Sequence, residues 1–282
     1  MFGKLETSDL NAIVKYIKTY ENEVVYLEKP IEEFKAGNLK GTLYGEMHEG
    51  DLRGLFYFSD KKVLCMHYSD EKVLGSLGIL KAVKLHKPKY IKGVLSQIEA
   101  IDRLLCRAVS EMKLMHSKLM ICKSSENLPM IETAYVLVDG MHLTQKTNGF
   151  MEELLQDLKF FIEVERHFGR PVKAVNDILK DFKKMLHSQN YLLYLHQNKI
   201  VAQGLIEEET DRFGILGGIY VSKAYRGQGL GRNVSSFLTN RILERGKTSY
   251  LFVVSENLTA IGLYEKIGYK LVCDYGVLTI VY

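Results

Sequence analysis

Proline is scarce in this chain, with four residues in 282, and cysteine equally so, with four. The first scarcity, beside apolar residues at 46% and charged ones at 26%, excludes a disordered or low-complexity chain and describes an ordinary globular protein. The second excludes a disulfide framework or a cysteine-based zinc site. Cys65, Cys106, Cys122 and Cys273 are scattered without a Cys-x-x-Cys pair, which suits a reducing compartment. Long apolar runs are missing too: Lys4, Asp9, Lys15 and Lys18 interrupt the N-terminal segment, and no window reaches the length of a membrane helix. The expected location is cytoplasmic, with no membrane partner. Charge of one sign is also in short supply. The formal net charge of +4 is too small to indicate a nucleic-acid partner, yet it suits a ligand bearing several phosphates.

The length favours two domains. The polar cluster from Cys122 to Pro129 is the best linker, giving an N-terminal α/β domain over 1–125 and a second domain over 130–282. In the first, a helix is expected between Leu5 and Tyr20, then strands at Leu39 to His48, Asp51 to Ser59 and Lys62 to Tyr68. A helix presenting Val73, Leu77, Leu80 and Lys84 on one face follows, then strand Tyr90 to Leu95, helix Gln97 to Ala108 and strand Lys118 to Cys122. In the second, strand Thr133 to Val138 precedes helices Met151 to Arg166 and Val172 to His187, which are separated by Gly169, Arg170 and Pro171. Strands Tyr191 to His196 and Ile200 to Ile206 come next, then an acidic turn, Glu207 to Asp211. Leu271 to Tyr275 and Val277 to Tyr282 read as two closing strands.

The most informative stretch is Gly214 to Gly246. Ile215 to Val221 is a buried-strand pattern, and Leu230, Val234, Phe237, Leu238 and Ile242 recur at the spacing of one helical face. Arg232, Asn233, Ser236, Asn240, Arg241 and Glu244 take the other face. Between strand and helix lies Arg226-Gly227-Gln228-Gly229-Leu230-Gly231. A helix start leaves its first N–H groups unpaired, and glycines let that backbone approach a ligand closely, so the stretch has the makings of an anion site. It is not a P-loop, since Gly231 is followed by Arg232 and Asn233 rather than Lys and Ser/Thr. It is not a dinucleotide fingerprint either, because Val234 stands where a small third residue is needed.

What the stretch resembles is the GNAT acetyltransferase superfamily, whose loop has the pattern Gln/Arg-x-x-Gly-x-Gly/Ala, matched here by Arg226, Gly229 and Gly231. A second match follows strand Tyr250 to Val254: the family's Asn-x-x-Ala-x-x-x-Tyr and Gly-Tyr/Phe are present as Asn257, Ala260, Tyr264, Gly268 and Tyr269. Seven residues are two helical turns, which brings Asn257 and Tyr264 to nearly one face.

The resemblance implies a GNAT-type acyltransferase fold, a mixed α/β (α+β) sheet, over the C-terminal half. The first half repeats the same order of elements but has Ser69-Asp70-Glu71-Lys72 where the loop should be, so the expectation is a tandem protein whose first copy is degenerate. By resemblance, the coenzyme is held by Ile219, Tyr220 and Val221 of the strand, by Arg226, Gly227, Gln228, Gly229, Leu230, Gly231 and Arg232 of the loop and first helical turn, and by Asn257. Tyr264 is the expected catalytic acid, and no metal is called for. The implied activity is N-acetyltransfer from acetyl-CoA to a primary amine by direct transfer in a ternary complex, the partners being the coenzyme A thioester and an amine acceptor. Glu207, Glu208, Glu209, Asp211, His196 and Glu256 are all candidates for a general base. A non-catalytic coenzyme A sensor and an aminoacyl-tRNA-dependent tandem transferase are the alternatives, and the oligomeric state stays open, a homo-oligomer included.

Overall fold

The computed structural model describes residues 1–75, 77–106, 109–124, 135–139, 158–169, 174–186, 188–197 and 199–282. Most of the expected linker, and the starts of the two long helices after it, fall outside the described residues. Two compact units emerge. The first comprises Met1–Met120, Phe252–Asn257 and Leu271–Tyr282, the second Ile121–Leu251 and Leu258–Lys270.

The first unit begins with β1 (Phe2–Lys4), α1 (Leu10–Thr19) and α2 (Val25–Lys35). It continues through β2 (Gly41–His48), β3 (Asp51–Ser59), β4 (Val63–Tyr68), α3 (Leu77–His86), β5 (Tyr90–Val94), α4 (Leu95–Leu105) and β6 (Glu111–Cys122). α2 has no counterpart in the sequence-based expectation. Pro30 stands inside it and hides the periodicity, although Val25, Leu27 and Ile31 are buried. The expected face of α3 is also out of phase: Ile79, Ala82 and Val83 point inward, while Leu77 is 71% exposed. The cause is a 3-10 turn at Glu71–Gly75, which separates Val73 from the helix that follows and resets the count.

The sheet of this unit runs β1-β2-β3-β4-β5-β12-β6, where β12 is the closing strand Lys270–Val281. β12 is one continuous strand rather than two, and it lies antiparallel to β5 with Tyr275 opposite Val94 and Thr279 opposite Tyr90. Apolar residues cover both faces of the sheet. Phe56, Leu64, Met66, Ile91 and Leu278 pack with α3 and α4, while Leu43, Leu55, Tyr57 and Cys65 pack with Ile13, Ile17, Leu27 and Ile31 of α1 and α2.

The second unit contains β7 (Val136–Asp139), α5 (Leu158–His167), α6 (Val175–Leu186), β8 (Tyr191–His196), β9 (Lys199–Glu209) and β10 (Phe213–Val221). Then come α7 (Leu230–Glu244), β11 (Thr248–Val254) and α8 (Leu258–Ile267). Its ladder runs β11-β10-β9-β8-β7. Phe160, Phe161, Val164, Ile178 and Phe182 cover one face of that sheet. The acidic stretch is not a turn: Glu207, Glu208 and Glu209 extend β9, and the chain reverses only at 210–212. Among the described residues, the helices and strands β1-α1-α2-β2-β3-β4-α3-β5-α4 and β7-α5-α6-β8-β9-β10-α7-β11-α8 follow in the same order. The described residues thus hold one supersecondary order twice.

Candidate functional site

Both copies share a feature that an unbroken sheet would not have. In the second unit β10 and β11 pair in parallel from Phe213↔Thr248 to Leu216↔Leu251, but β10 runs on to Val221. In the first, β4 and β5 pair from Val63↔Tyr90 to Cys65↔Lys92, and β4 runs on to Tyr68. Among the described residues, each parallel ladder therefore stops before its first strand ends, which leaves the last residues of β10 and of β4 with an unpaired edge, here called the wedge.

The direction of the backbone at the wedge follows from the opposite edge of the strand. Ser222 N–H donates to the Val201 carbonyl at 2.9 Å, and Val221 lies opposite Ala202. Antiparallel pairs alternate between bonded and non-bonded positions, so the N–H and C=O of Val221 point away from β9, into the wedge. The same holds in the first unit, where Ser69 N–H donates to Arg53 at 2.8 Å and Tyr68 lies opposite Gly54. The strands differ in register: between Ile215↔Glu208 and Leu216↔Ile206 the extra residue lies in β9, and a second shift lies in β10 itself. Between Gly217↔Leu205 and Tyr220↔Gln203, β10 advances one residue more than β9, a bulge at which Gly218 takes a left-handed φ of 60°. That extra residue shifts the alternation by one and decides which peptide group of the strand end faces the wedge. β4 pairs with β3 without a register shift.

What occupies the wedge differs as well. In the first unit the Gln97 carboxamide fills it, with Tyr68 N–H donating to Gln97 Oε1 at 3.2 Å and Gln97 Nε2 donating to the Tyr68 carbonyl at 2.7 Å. In the second, the Val221 carbonyl accepts from Arg226 Nε at 3.0 Å.

Beyond the wedge each strand enters a 3-10 turn, Glu71–Gly75 or Lys223–Tyr225. In the second copy Gly227 and Gly229 then adopt φ values of 78° and 80°, a left-handed conformation that glycine takes at little cost. Gly229 is the N-cap of α7 and makes no side-chain cap; the first helical bond is Asn233 N–H to the Gly229 carbonyl at 3.0 Å. The amides of Leu230, Gly231 and Arg232 thus precede the ladder, at the positive end of the helix dipole. A Cβ on Gly231 would stand 3.6 Å from Val221 and 3.7 Å from Leu263, so strand end, helix start and α8 converge there. Arg232 Nε is buried and has no hydrogen-bond partner among the described residues. Bare amides and an orphaned guanidinium nitrogen fit an anion. Gln228 accepts from Tyr135 OH, and the Arg226 guanidinium lies 5.8 Å over the Tyr220 ring. Arg226 is therefore a brace between loop and strand, and its anion-binding capacity is left to its terminal nitrogens. In the first copy, by contrast, Asp70 Oδ1 accepts from the Lys72 amide at 3.0 Å, so the loop satisfies itself.

Ile219 belongs to the bulged end of β10 with Tyr220 and Val221. Tyr264 is buried in α8, its phenol pushed up to about 12 by desolvation, with the Glu207 charge adding to the effect. Asn257 is exposed, one residue ahead of α8, and belongs to the segment that counts with the first unit. Of the candidate bases, Glu207 lies across Gly217, where a Cβ would come within 2.3 Å of Glu207 Cδ. Glu209 is engaged elsewhere, with Arg245 at 2.7 Å and Lys247 at 2.9 Å. His196 packs its ring 5.1 Å from Tyr135, and Asp211 and Glu256 are exposed.

The sequence reading passed over Gly218 and Glu163. For Gly218 a signal existed, two adjacent glycines inside a strand pattern, which mark a bulge or a close backbone approach. Glu163 of α5 accepts at Oε2 from Tyr220 OH at 3.2 Å and from Ser222 OH at 3.0 Å. No local pattern announces a bond to residues more than fifty positions away.

Residues 195–276 match a family model described as FR47-like protein. The chain is 30% identical over 116 residues to the uncharacterized N-acetyltransferase YobR of Bacillus subtilis, a match covering 41% of this chain and 45% of the relative. It spans less than half the length of that relative. Among solved structures, a GNAT-family acetyltransferase from Colwellia psychrerythraea aligns over 100% of both chains at a TM-score of 0.53 and 18% identity. A tandem GNAT protein from the clavulanic acid biosynthesis pathway aligns over 99% of this chain and 98% of its own, at a TM-score of 0.56 and 8% identity. At such identities these two likenesses speak for the fold.

Proposed function

We propose that the chain is an N-acetyltransferase of the GNAT type that moves an acetyl group from acetyl-CoA to a primary amine by direct transfer, a reading supported by the match of residues 195–276 to the FR47-like family model and by the fold shared with solved GNAT structures. The observation that carries the reading is the junction of β10 and α7, where a backbone N–H turned into an open wedge stands beside an uncapped helix start. Coenzyme A supplies the activated thioester and a diphosphate. The amides of Leu230, Gly231 and Arg232 and the guanidinium groups of Arg226 and Arg232 are the groups suited to the diphosphate, the loop glycines Gly227 and Gly229 giving it access and Gln228 lining it. Ile219, Tyr220 and Val221 offer their strand edge to the extended arm.

The first copy supports the role assigned to Val221. At the equivalent position the Tyr68 amide already holds a carbonyl oxygen, that of Gln97, at 3.2 Å. A thioester oxygen on the Val221 amide is the same pairing, and it strengthens as negative charge develops on that oxygen. Tyr264 remains protonated throughout the neutral range, as burial raises its phenol, and is thus a donor to the departing thiolate. The wedge of the first copy is taken by Gln97 and its loop by Asp70. One coenzyme site per chain follows, in the C-terminal half.

The test is a thermal shift with coenzyme A and acetyl-CoA, comparing wild type with Arg226→Glu. Ligand at about a hundredfold over its Kd adds roughly 2.7 kcal/mol of stability, and the reversed charge removes most of that increment. Tyr264→Phe, in turn, lowers kcat far more than it raises the KM for acetyl-CoA. No ligand-dependent shift in wild type, or an unchanged kcat in Tyr264→Phe, contradicts the respective assignment.

A further inference from the structure

The side of α5 that packs with β10 is apolar at Phe160, Phe161 and Val164 and, among the described residues, carries a carboxylate beside them. There Glu163 is held at Oε2 by two hydroxyls, Tyr220 at 3.2 Å and Ser222 at 3.0 Å. Its other oxygen, Oε1, has no hydrogen-bond partner among the described residues. Tyr220 and Ser222 flank Val221, so the carboxylate is tied to the chain on both sides of the amide assigned to the thioester oxygen. One helical turn further along α5, the His167 imidazole lies 5.1 Å from the Tyr220 ring, and the Arg226 guanidinium lies 5.8 Å from the same ring. A half-buried carboxylate with one oxygen fixed and the other unpartnered among the described residues, one helical turn from an imidazole and beside a strand end, is arranged to receive a cation whose proton that imidazole can take.

We propose that Glu163 anchors the ammonium group of the acceptor and His167 accepts its proton, so that the acceptor is a primary alkylamine arriving as a cation. The inference rests on the reading of β10 and α7 as the thioester site. An alkylammonium cannot attack a carbonyl until it loses a proton; partial desolvation of the otherwise exposed His167, with the Arg226 charge second, holds the imidazole below its ordinary value and thus neutral near pH 7. The ammonium gives one proton to the imidazole. The freed nitrogen lone pair forms the C–N bond to the acyl carbon as the C–S bond breaks, and the thiolate takes the Tyr264 proton. The second N–H proton of the new amide makes good the one Tyr264 gave, and the proton on the imidazole passes to solvent. Atoms and charge balance with one proton released per turnover.

A merely structural Glu163, tethering two hydroxyls, is separated from this role by Glu163→Gln, which keeps an acceptor oxygen for Tyr220 and Ser222 and removes the charge. The experiment uses the full chain, with calorimetry first to record acetyl-CoA binding. Thiol release is then followed with butylamine, cadaverine and spermidine as acceptors and butanol as the neutral control. The expected result is turnover with amines and none with butanol. In Glu163→Gln the amine KM rises at least about tenfold, at an unchanged acetyl-CoA KM and an unchanged Tm. Glu163→Asp, which keeps the charge, recovers part of the loss. His167→Gln lowers kcat and abolishes the fall of amine kcat/KM on the acid side, which in wild type sets in below the ordinary imidazole value of about 6.5. A chain that binds acetyl-CoA but turns over none of the amines, or a Glu163→Gln variant with unchanged amine KM, overturns this proposal and leaves the thioester site standing. A chain that binds no acetyl-CoA overturns both.

Discussion

Replacing Gly218 by alanine tests whether the bulge in β10 sets the direction of the Val221 amide. Gly218 has a φ of 60°, and a Cβ built there would stand 2.1 Å from Leu205 Cδ2. The left-handed conformation costs a non-glycine residue about 1–2 kcal/mol. Displacing the end of the Leu205 side chain within a packed sheet face costs a further ~1–3 kcal/mol. The sum, about 3 kcal/mol, corresponds to a fall in Tm of roughly 6–12 °C for a domain of ~150–250 residues. Gly227→Ala is the matched control: its φ is 78°, but no atom lies within 4 Å of the added Cβ. It carries the conformational cost alone, roughly 2–8 °C on the same scale. Any relaxation of the strained bulge also returns the alternation of β10 to the phase it has before Gly217, turning the Val221 N–H out of the wedge. Gly218→Ala therefore loses acetyl transfer out of proportion to its loss of folded protein. Differential scanning calorimetry with steady-state kinetics at a temperature well below both Tm values separates the two effects. An unchanged Tm refutes the steric argument, and an unchanged kcat in folded Gly218→Ala refutes the link from bulge to amide.

Two further perturbations concern the first unit. Gln97→Ala strips partners from the N–H and C=O of the buried Tyr68; at about 1–3 kcal/mol for each unsatisfied group, denaturant melts should report a loss of roughly 2–6 kcal/mol, while calorimetry still counts one acetyl-CoA per chain, and a second bound equivalent in wild type contradicts the closed wedge. His67, bonded to Tyr16 OH at 2.7 Å and to Glu23 at 3.0 Å, has its pKa lowered by burial, against the opposing pull of Glu23. The unfolded chain then binds the proton more readily than the folded one below the ordinary value of about 6.5. This contribution to stability is complete above pH ~6.5 and declines as pH falls toward the lower folded value. A Tm measured from pH 7.5 to 5.5 should drop, and His67→Gln should flatten the slope; a slope equal in the two proteins removes His67 from the account.

The legible parts of this chain were those whose signal is local. Strands such as Asp51–Ser59 and Tyr191–His196 fell where the runs of apolar and β-branched residues put them. The order of elements was readable because each change of period is marked by a turn. The wedge in the first copy, a consequence of taking that half as a second copy of the same order, is present at Cys65 and Lys92. Less legible was whatever depends on partners far along the chain. α7 was read as amphipathic, but Asn233, Ser235, Ser236 and Thr239 are all buried. Asn233 donates to Tyr194 OH at 3.2 Å and Thr239 meets Tyr269 OH at 2.9 Å, partners 39 and 30 residues away. The acidic residues of β9 looked like a solvated turn because Arg245 and Lys247, which neutralise Glu209, lie on the far side of α7 in sequence. Glu163 was invisible for the same reason, and the loop glycines were visible for the opposite one: a left-handed backbone leaves its mark on the residue that adopts it.

Where a diphosphate binds decides the assignment of the β10–α7 junction. Crystals of the chain grown with coenzyme A should show the diphosphate oxygens about 3 Å from the backbone nitrogens of Leu230, Gly231 and Arg232, with the extended arm along Ile219 to Val221. A diphosphate bound instead at Ser69 to Gly75, or at neither loop in crystals that hold the coenzyme, contradicts it.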